Sequence, residues 1–300
     1  MSLSCKSPRK VAQVIYHAAR EALPPYSHRF SPRTYTQAQL FTCLVLKIFF
    51  RTDYRGIVAI LADLPELCRV IGLTKIPHFT ALQKADQRLL TLKNYRRLAA
   101  TLLREARHRK MRVRRPALAA MDATGLESRH VSAHYAHKRT RNRQNQRLRR
   151  HRPHPKAAVL CDCRSHLILA GWAGRGPGDD LAHFRPLFEQ CRGIGLPKTL
   201  LQDAGYDAEW VHVYCRKAQV RSIIPPTRGK PSSKPPRGRY RRLMARRFPK
   251  KTYGQRAQVE TVNSMYKRNQ GSALHARKGR NQNREILLRL LTHNVVIIPP

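Results

Sequence analysis

The chain has 300 residues, with 60 Lys or Arg against 17 Asp or Glu and a formal net charge of +43. That excess points to a polyanion as partner, while a hydrophobic content of 41% is ample for folded cores and argues against a purely basic structural protein. The longest apolar stretch, Leu40 to Phe50, is broken by Thr42 and Lys47 and is too short to span a bilayer, and no signal peptide is visible.

The first part of the chain reads as helical. Residues 9–23, 35–52, 54–62, 65–71 and 78–90 carry apolar positions at helical spacing, punctuated by Pro24, Pro25, Pro32, Pro65, Gly72 and Pro77. Short helices ending in IPHFTALQKADQRLL suit either a helix-turn-helix module or a small dimerisation bundle. A basic helix over 92–115 follows.

Pro116 opens a mixed pattern. The apolar run from Ala117 to Met121 ends at Asp122, and taken alone it suits a helix or a strand. Residues 129–160 contain no carboxylate side chain and an Arg-dense core, RTRNRQNQRLRRHR, which reads as a solvated arm or a phosphate clamp. His130, His134 and His137 have a spacing that could bind zinc, but the cations that follow disfavour it. KAAVLCDC and SHLILAGWA predict a hairpin turning at Arg164, with Cys161 and Cys163 in its core. The seven cysteines include no CxxC pair and suggest neither a zinc ribbon nor a disulfide framework. DLAHFRPLFEQC predicts a helix capped by Asp180, which leaves Asp179 and Asp180 as reserve metal ligands only.

Residues 199–203 predict a strand running into Asp203, in the turn Asp203-Ala-Gly-Tyr-Asp207, with Asp207 placed to cap a helix over 207–218. A strand at RSIIP follows, and then a Pro-rich basic stretch, 226–251, that reads as a mobile arm. In YGQRAQVETVNSMYK, Tyr253, Arg256, Glu260 and Lys267 share one helix sector, while Val259, Val262 and Tyr266 form the apolar face opposite. The final segment, NREILLRLLTHNVVII, predicts a packing helix.

The spacing of Tyr253, Arg256, Glu260 and Lys267 resembles the Tyr-Arg-Glu-Lys signature of DDE transposases of prokaryotic insertion sequences. The turn at Asp203 resembles that family's second motif, and Asp122 supplies a first aspartate upstream. The resemblance implies an α/β fold, a ribonuclease H-like mixed-sheet catalytic domain over 116–300 with basic arms at 129–155 and 226–251. An all-α N-terminal domain, 1–115, would precede it and serve DNA-end binding or dimerisation.

It also implies that Asp122, Asp203 and Glu260 are catalytic and hold two Mg2+ or Mn2+ ions, while Tyr253, Arg256 and Lys267 contact DNA. Carboxylates suit such hard cations, which take oxygen ligands and need neither His nor Cys. The implied partners are double-stranded DNA, namely the terminal inverted repeats and the target, and a second copy of the chain in a homodimeric synaptic complex. The implied activity is endonucleolytic cleavage and strand joining in DNA transposition and recombination. No membrane is involved, and the location is cytoplasmic and nucleoid-associated. The alternatives are a ribonuclease H-like nuclease or resolvase that cuts without joining, and an inactive DNA-binding repressor derived from a transposase.

Overall fold

The computed structural model describes residues 4–111, 115–128, 154–176, 178–227 and 236–299. The chain divides into two units, one made of Met1–Met111 with Met265–Pro300 and the other of Arg112–Ser264.

The first unit is helical. Helix α1 (Pro8–Ala22) begins at Ser7, whose side chain accepts from the Lys10 amide, and Pro8 occupies the first turn, where a missing N–H costs nothing. Helix α2 (Gln37–Phe49) is buried along its length from Gln37 to Ile48, as a helix without a polar face must be. A capping box fixes its start: Thr36 Oγ1 accepts from the Gln39 amide at 3.2 Å, and Gln39 Oε1 accepts from the Thr36 amide at 2.8 Å. Helices α3 (Tyr54–Asp63), α4 (Pro65–Val70) and α5 (Phe79–Leu89) fall close to their predicted bounds. Helix α5 buries Leu82, Ala85, Asp86 and Leu89 and exposes Gln83, Lys84, Gln87 and Arg88.

Helix α6 (Leu92–His108) stops short of the predicted residue 115, because Lys110 adopts a left-handed φ of 62° that an α-helix cannot accommodate. The unit closes with α12 (Gly279–Ile297), buried from Glu285 to Ile297 and packed on α1, α2, α5 and α6.

The second unit carries a five-stranded mixed sheet. Strand β1 (Leu118–Gly125) pairs antiparallel with β2 (His154–Asp162), which pairs antiparallel with β3 (Ile168–Gly176). On its other edge β1 pairs in parallel with β4 (Thr199–Gln202), and β4 in parallel with β5 (Arg221–Ile223). The order β3-β2-β1-β4-β5 is that of a ribonuclease H-like domain. The predicted hairpin is β2 and β3, with Cys161 and Cys163 buried and Asp162 turning the chain by accepting from the Ser165 amide at 3.0 Å. A parallel neighbour requires a crossover. Helix α7 (Leu181–Arg192) supplies it on the way to β4, burying Phe184, Leu187, Phe188 and Cys191 as it packs on β2 and β3.

Three local expectations change. Asp180 stands at the N-cap of α7, but its side chain makes no cap bond, and Asp179 Oδ1 accepts from the Leu181 amide instead. Asp207 does not cap α8 (Glu209–Lys217) either. A nearby guanidinium is the stronger partner, and Asp207 pairs bidentately with Arg241, accepting from Nε at 2.9 Å and Nη2 at 2.6 Å.

Within 226–251, residues 239–246 form a helix, α9 (Arg239–Arg246). Its open N-terminal amides at Tyr240 and Arg241 donate to Glu209, each at 3.0 Å, so acidic side chains in and before α8 hold a segment whose composition reads as an arm. Residues 228–235 of that arm, residues 129–153 of the first arm, and the histidines at 130, 134 and 137 lie outside the described residues. Among the described residues no helix is long and apolar enough to cross a membrane.

Candidate active site

Strand register brings the two aspartates together. In the parallel pairing of β1 and β4, Met121 lies opposite Gln202, so the next residue on each strand, Asp122 and Asp203, falls at the same end of the sheet. Asp122 remains within β1. Asp203 ends β4, and its Oδ1 accepts from the Gly205 amide at 3.0 Å, which closes the Asp-x-Gly turn and fixes the carboxylate.

The third carboxylate arrives from a broken helix. Tyr253 ends the short α10 (Lys250–Tyr253), Arg256 closes a 3-10 turn (Gly254–Arg256), and α11 (Ala257–Gln270) begins only after it. The four signature residues therefore do not share one regular α-helix, although the intervening backbone stays helical in sense. The turn packs against β1 and β4 and carries Arg256 to the carboxylates. Arg256 Nη1 lies 3.8 Å from Asp122 Oδ1, and Nη2 donates to Glu260 Oε1.

Asp122 Oδ2 accepts from Asn263 Nδ2 at 3.1 Å. Nothing in the sequence singles out Asn263 except its place one turn beyond Glu260. The predicted apolar face is present, with Val259, Val262 and Tyr266 fully buried.

Burial governs the electrostatics. Asp122 is 17% exposed, and desolvation, opposed by Arg256 and assisted by Asp203 and Glu260, pushes its carboxyl up to about 6. Desolvation also raises Asp203, and the charge of Asp180 adds to it. Glu260, at 57% exposed, faces solvent. The Tyr253 phenol is pushed up, first by burial, and its ring packs edge-on against Phe248 at 4.9 Å. Lys267 is half-buried and lies in the part of α11 that belongs to the first unit.

Chemically, the arrangement is three carboxylates with one guanidinium touching two of them. All the donors are hard oxygens, which fits a divalent cation of the magnesium type. In the present arrangement, Arg256 supplies the positive charge at Asp122 and Glu260, and no group of three ligating side chains among the described residues is gathered tightly enough to hold an ion.

The family model of the transposase DDE domain matches residues 114–295, more than half of the chain. The chain belongs to the DDE transposase family. Its function is accordingly of the transposase type, on a DNA substrate, in a family of nucleic-acid-cleaving enzymes that generally use divalent metal ions. No curated protein matches the chain.

Proposed function

We propose that this DDE transposase binds the ends of its insertion sequence, cleaves their 3′ ends and joins them to target DNA by direct transesterification. The observation that carries the reading is the convergence of Asp122 and Asp203 from paired parallel strands, with Asp122 and Glu260 engaged by one arginine.

In this reading Asp122, Asp203 and Glu260 hold two Mg2+ or Mn2+ ions, as a transposase of the Tyr-Arg-Glu-Lys type would. When bound, such a pair of ions activates the attacking oxygen and stabilises the leaving one. Asn263 fixes one oxygen of Asp122, and the other lies 3.8 Å from Arg256 Nη1. Arg256 neutralises the carboxylates in the DNA-free protein and turns to the phosphate beside the cleaved bond when DNA binds. Lys267 grips a second phosphate, and Tyr253 orients the strand.

The catalytic domain of this reading spans residues 116–300, its last part, 265–300, being packed within the first unit, and residues 1–115 are the domain for end binding or dimerisation, where the exposed polar stripe of α5 suits a groove-facing helix. Two ends must be held together for joining, so the acting species is at least a homodimer on DNA, in the cytoplasm at the nucleoid.

The test is Asp122→Asn, Asp203→Asn and Glu260→Gln, each assayed with a terminal inverted repeat and Mg2+. Each should abolish cleavage and strand transfer while leaving end binding within about a factor of three, because each removes metal charge and no phosphate-facing cation. Cleavage that persists near the wild-type rate in any one of them removes that residue from the centre. Wild-type cleavage without any joined product would instead make the protein a nuclease.

A further inference from the structure

A fourth carboxylate stands beside the centre. Asp180 uses only one oxygen for its ion pair: Oδ1 accepts from Lys156 Nζ at 2.6 Å, and the same ammonium donates to Gly178 O at 3.2 Å. Among the described residues Oδ2 accepts no hydrogen bond, and helix capping is left to Asp179. That free oxygen lies beside Gly205, in the turn that follows Asp203. A Cβ added to Gly205 would stand 3.0 Å from Asp180 Oδ2 and 3.1 Å from Asp203 Oδ1. Gly205 does not have a positive φ, so what glycine provides here is space, and two acceptor-only groups converge on it.

Two buried polar atoms without hydrogen-bond partners lie within electrostatic reach of these carboxylates. His183, 3% exposed, sets Nδ1 3.9 Å from Asp180 Oδ1, and its ring packs on Trp172. Tyr206, 0% exposed, leaves its hydroxyl unpaired, and its phenol is raised by burial and then by the charges of Asp180, Asp122 and Asp203. Buried polar atoms in a native protein are nearly always satisfied, and a hydrated cation among these groups would supply what both lack. Magnesium-type ions need no more protein than this, since one or two carboxylates with waters and a substrate phosphate suffice.

We propose that Asp180 Oδ2 and Asp203 Oδ1 together hold one of the two divalent cations in the space left by Gly205, with Lys156 as the residue that positions Asp180. The proposal rests on the two-ion reading above and adds to it a ligand outside the Asp122-Asp203-Glu260 set. It also explains why a glycine stands two residues after Asp203: a methyl group there would occupy the ion's place.

The experiment counts Mn2+ bound to the full-length, DNA-free protein by the electron paramagnetic resonance signal of the free ion. Wild type, Asp122→Asn, Asp180→Asn, Gly205→Ala and Asp179→Asn are compared at matched thermal stability. Asp180→Asn and Gly205→Ala should each weaken binding of one ion by about tenfold or more, whereas Asp179→Asn should bind as wild type. Should Asp180→Asn fold poorly for want of the Lys156 pair, Gly205→Ala decides, because it leaves that pair intact. Wild-type binding by both Asp180→Asn and Gly205→Ala, with binding lost in Asp122→Asn, would overturn the Asp180 site and leave the three-carboxylate centre standing. Wild-type binding by Asp122→Asn would instead count against the underlying reading.

Discussion

Burial gives Asp122 a carboxyl that titrates near pH 6, well above the roughly 3.9 of an exposed aspartate. Between those two values the unfolded chain has lost its proton and the folded one has kept it. The group's contribution to stability is thus fully present below about pH 4 and is lost as pH rises through the folded value. Asp122→Asn removes that penalty and keeps an oxygen for Asn263. In metal-free, DNA-free protein it should raise the unfolding free energy at pH 7.5, by at most about 3 kcal/mol, and the gain should shrink toward zero at pH 4. Urea titrations at the two pH values measure it. A gain that is the same at both would show that the strain at Asp122 is not electrostatic. Stability given up at a cluster of like charges is what a site prepared for a cation should display.

At the scale of the element, α12 shows how a charged residue can sit in the middle of a core. Arg289 is 1% exposed and donates to the Gly271 carbonyl, to Ala273 O at 2.7 Å and to Glu285 Oε1 at 2.7 Å. Burial alone would raise Glu285, but Arg289, the amides of Ala276 and His275, and Lys47 outweigh it and hold the carboxyl below its ordinary value. A depressed carboxylate stabilises the fold above its unfolded value of about 4.3, and that contribution is lost as pH falls through the folded one. Arg289→Met should cost about 3 to 5 kcal/mol at neutral pH, since it strands a buried carboxylate. Adding Glu285→Leu should recover much of the loss, as exchanging a whole buried pair for apolar groups often does. Chemical denaturation of the single and double variants checks both. A single variant within about 1 kcal/mol of wild type would mean that water reaches Glu285.

For the whole molecule, a net charge of +43 makes DNA affinity a steep function of salt, with log affinity falling by about 0.9 per phosphate neutralised. The arginines of α9 offer a defined part of that slope. Arg241 is committed to Asp207, whereas Arg239, Arg242 and Arg246 are exposed. Changing those three to Gln should reduce the slope by up to about 2.7, with Glu209 still holding the helix in place. Filter binding or anisotropy over a range of salt concentrations gives the value. An unchanged slope would mean that α9 does not touch DNA.

The amino-acid sequence by itself determined many of the elements and pointed to the family. Hydrophobic periodicity and Pro or Gly punctuation located the helices of the first unit, because those signals are local and caps such as Thr36 with Gln39 lie within one turn of each other. The joint spacing of Asp122, Asp203 and Glu260 pointed to the family for a similar reason, since a family's motif residues keep their order along the chain whatever lies between. Pairing decided the rest. The cap role read for Asp180 and for Asp207 gave way to Lys156 and Arg241, cations 24 and 34 residues away, because a charged partner outcompetes a backbone amide once folding brings it near. The parallel register of β1 with β4, the contact of Asn263 with Asp122, and the approach of Asp180 to Gly205 are likewise long-range. Side chains far apart in sequence have no common periodicity to betray them, and only the sheet that sets their strands side by side makes them neighbours.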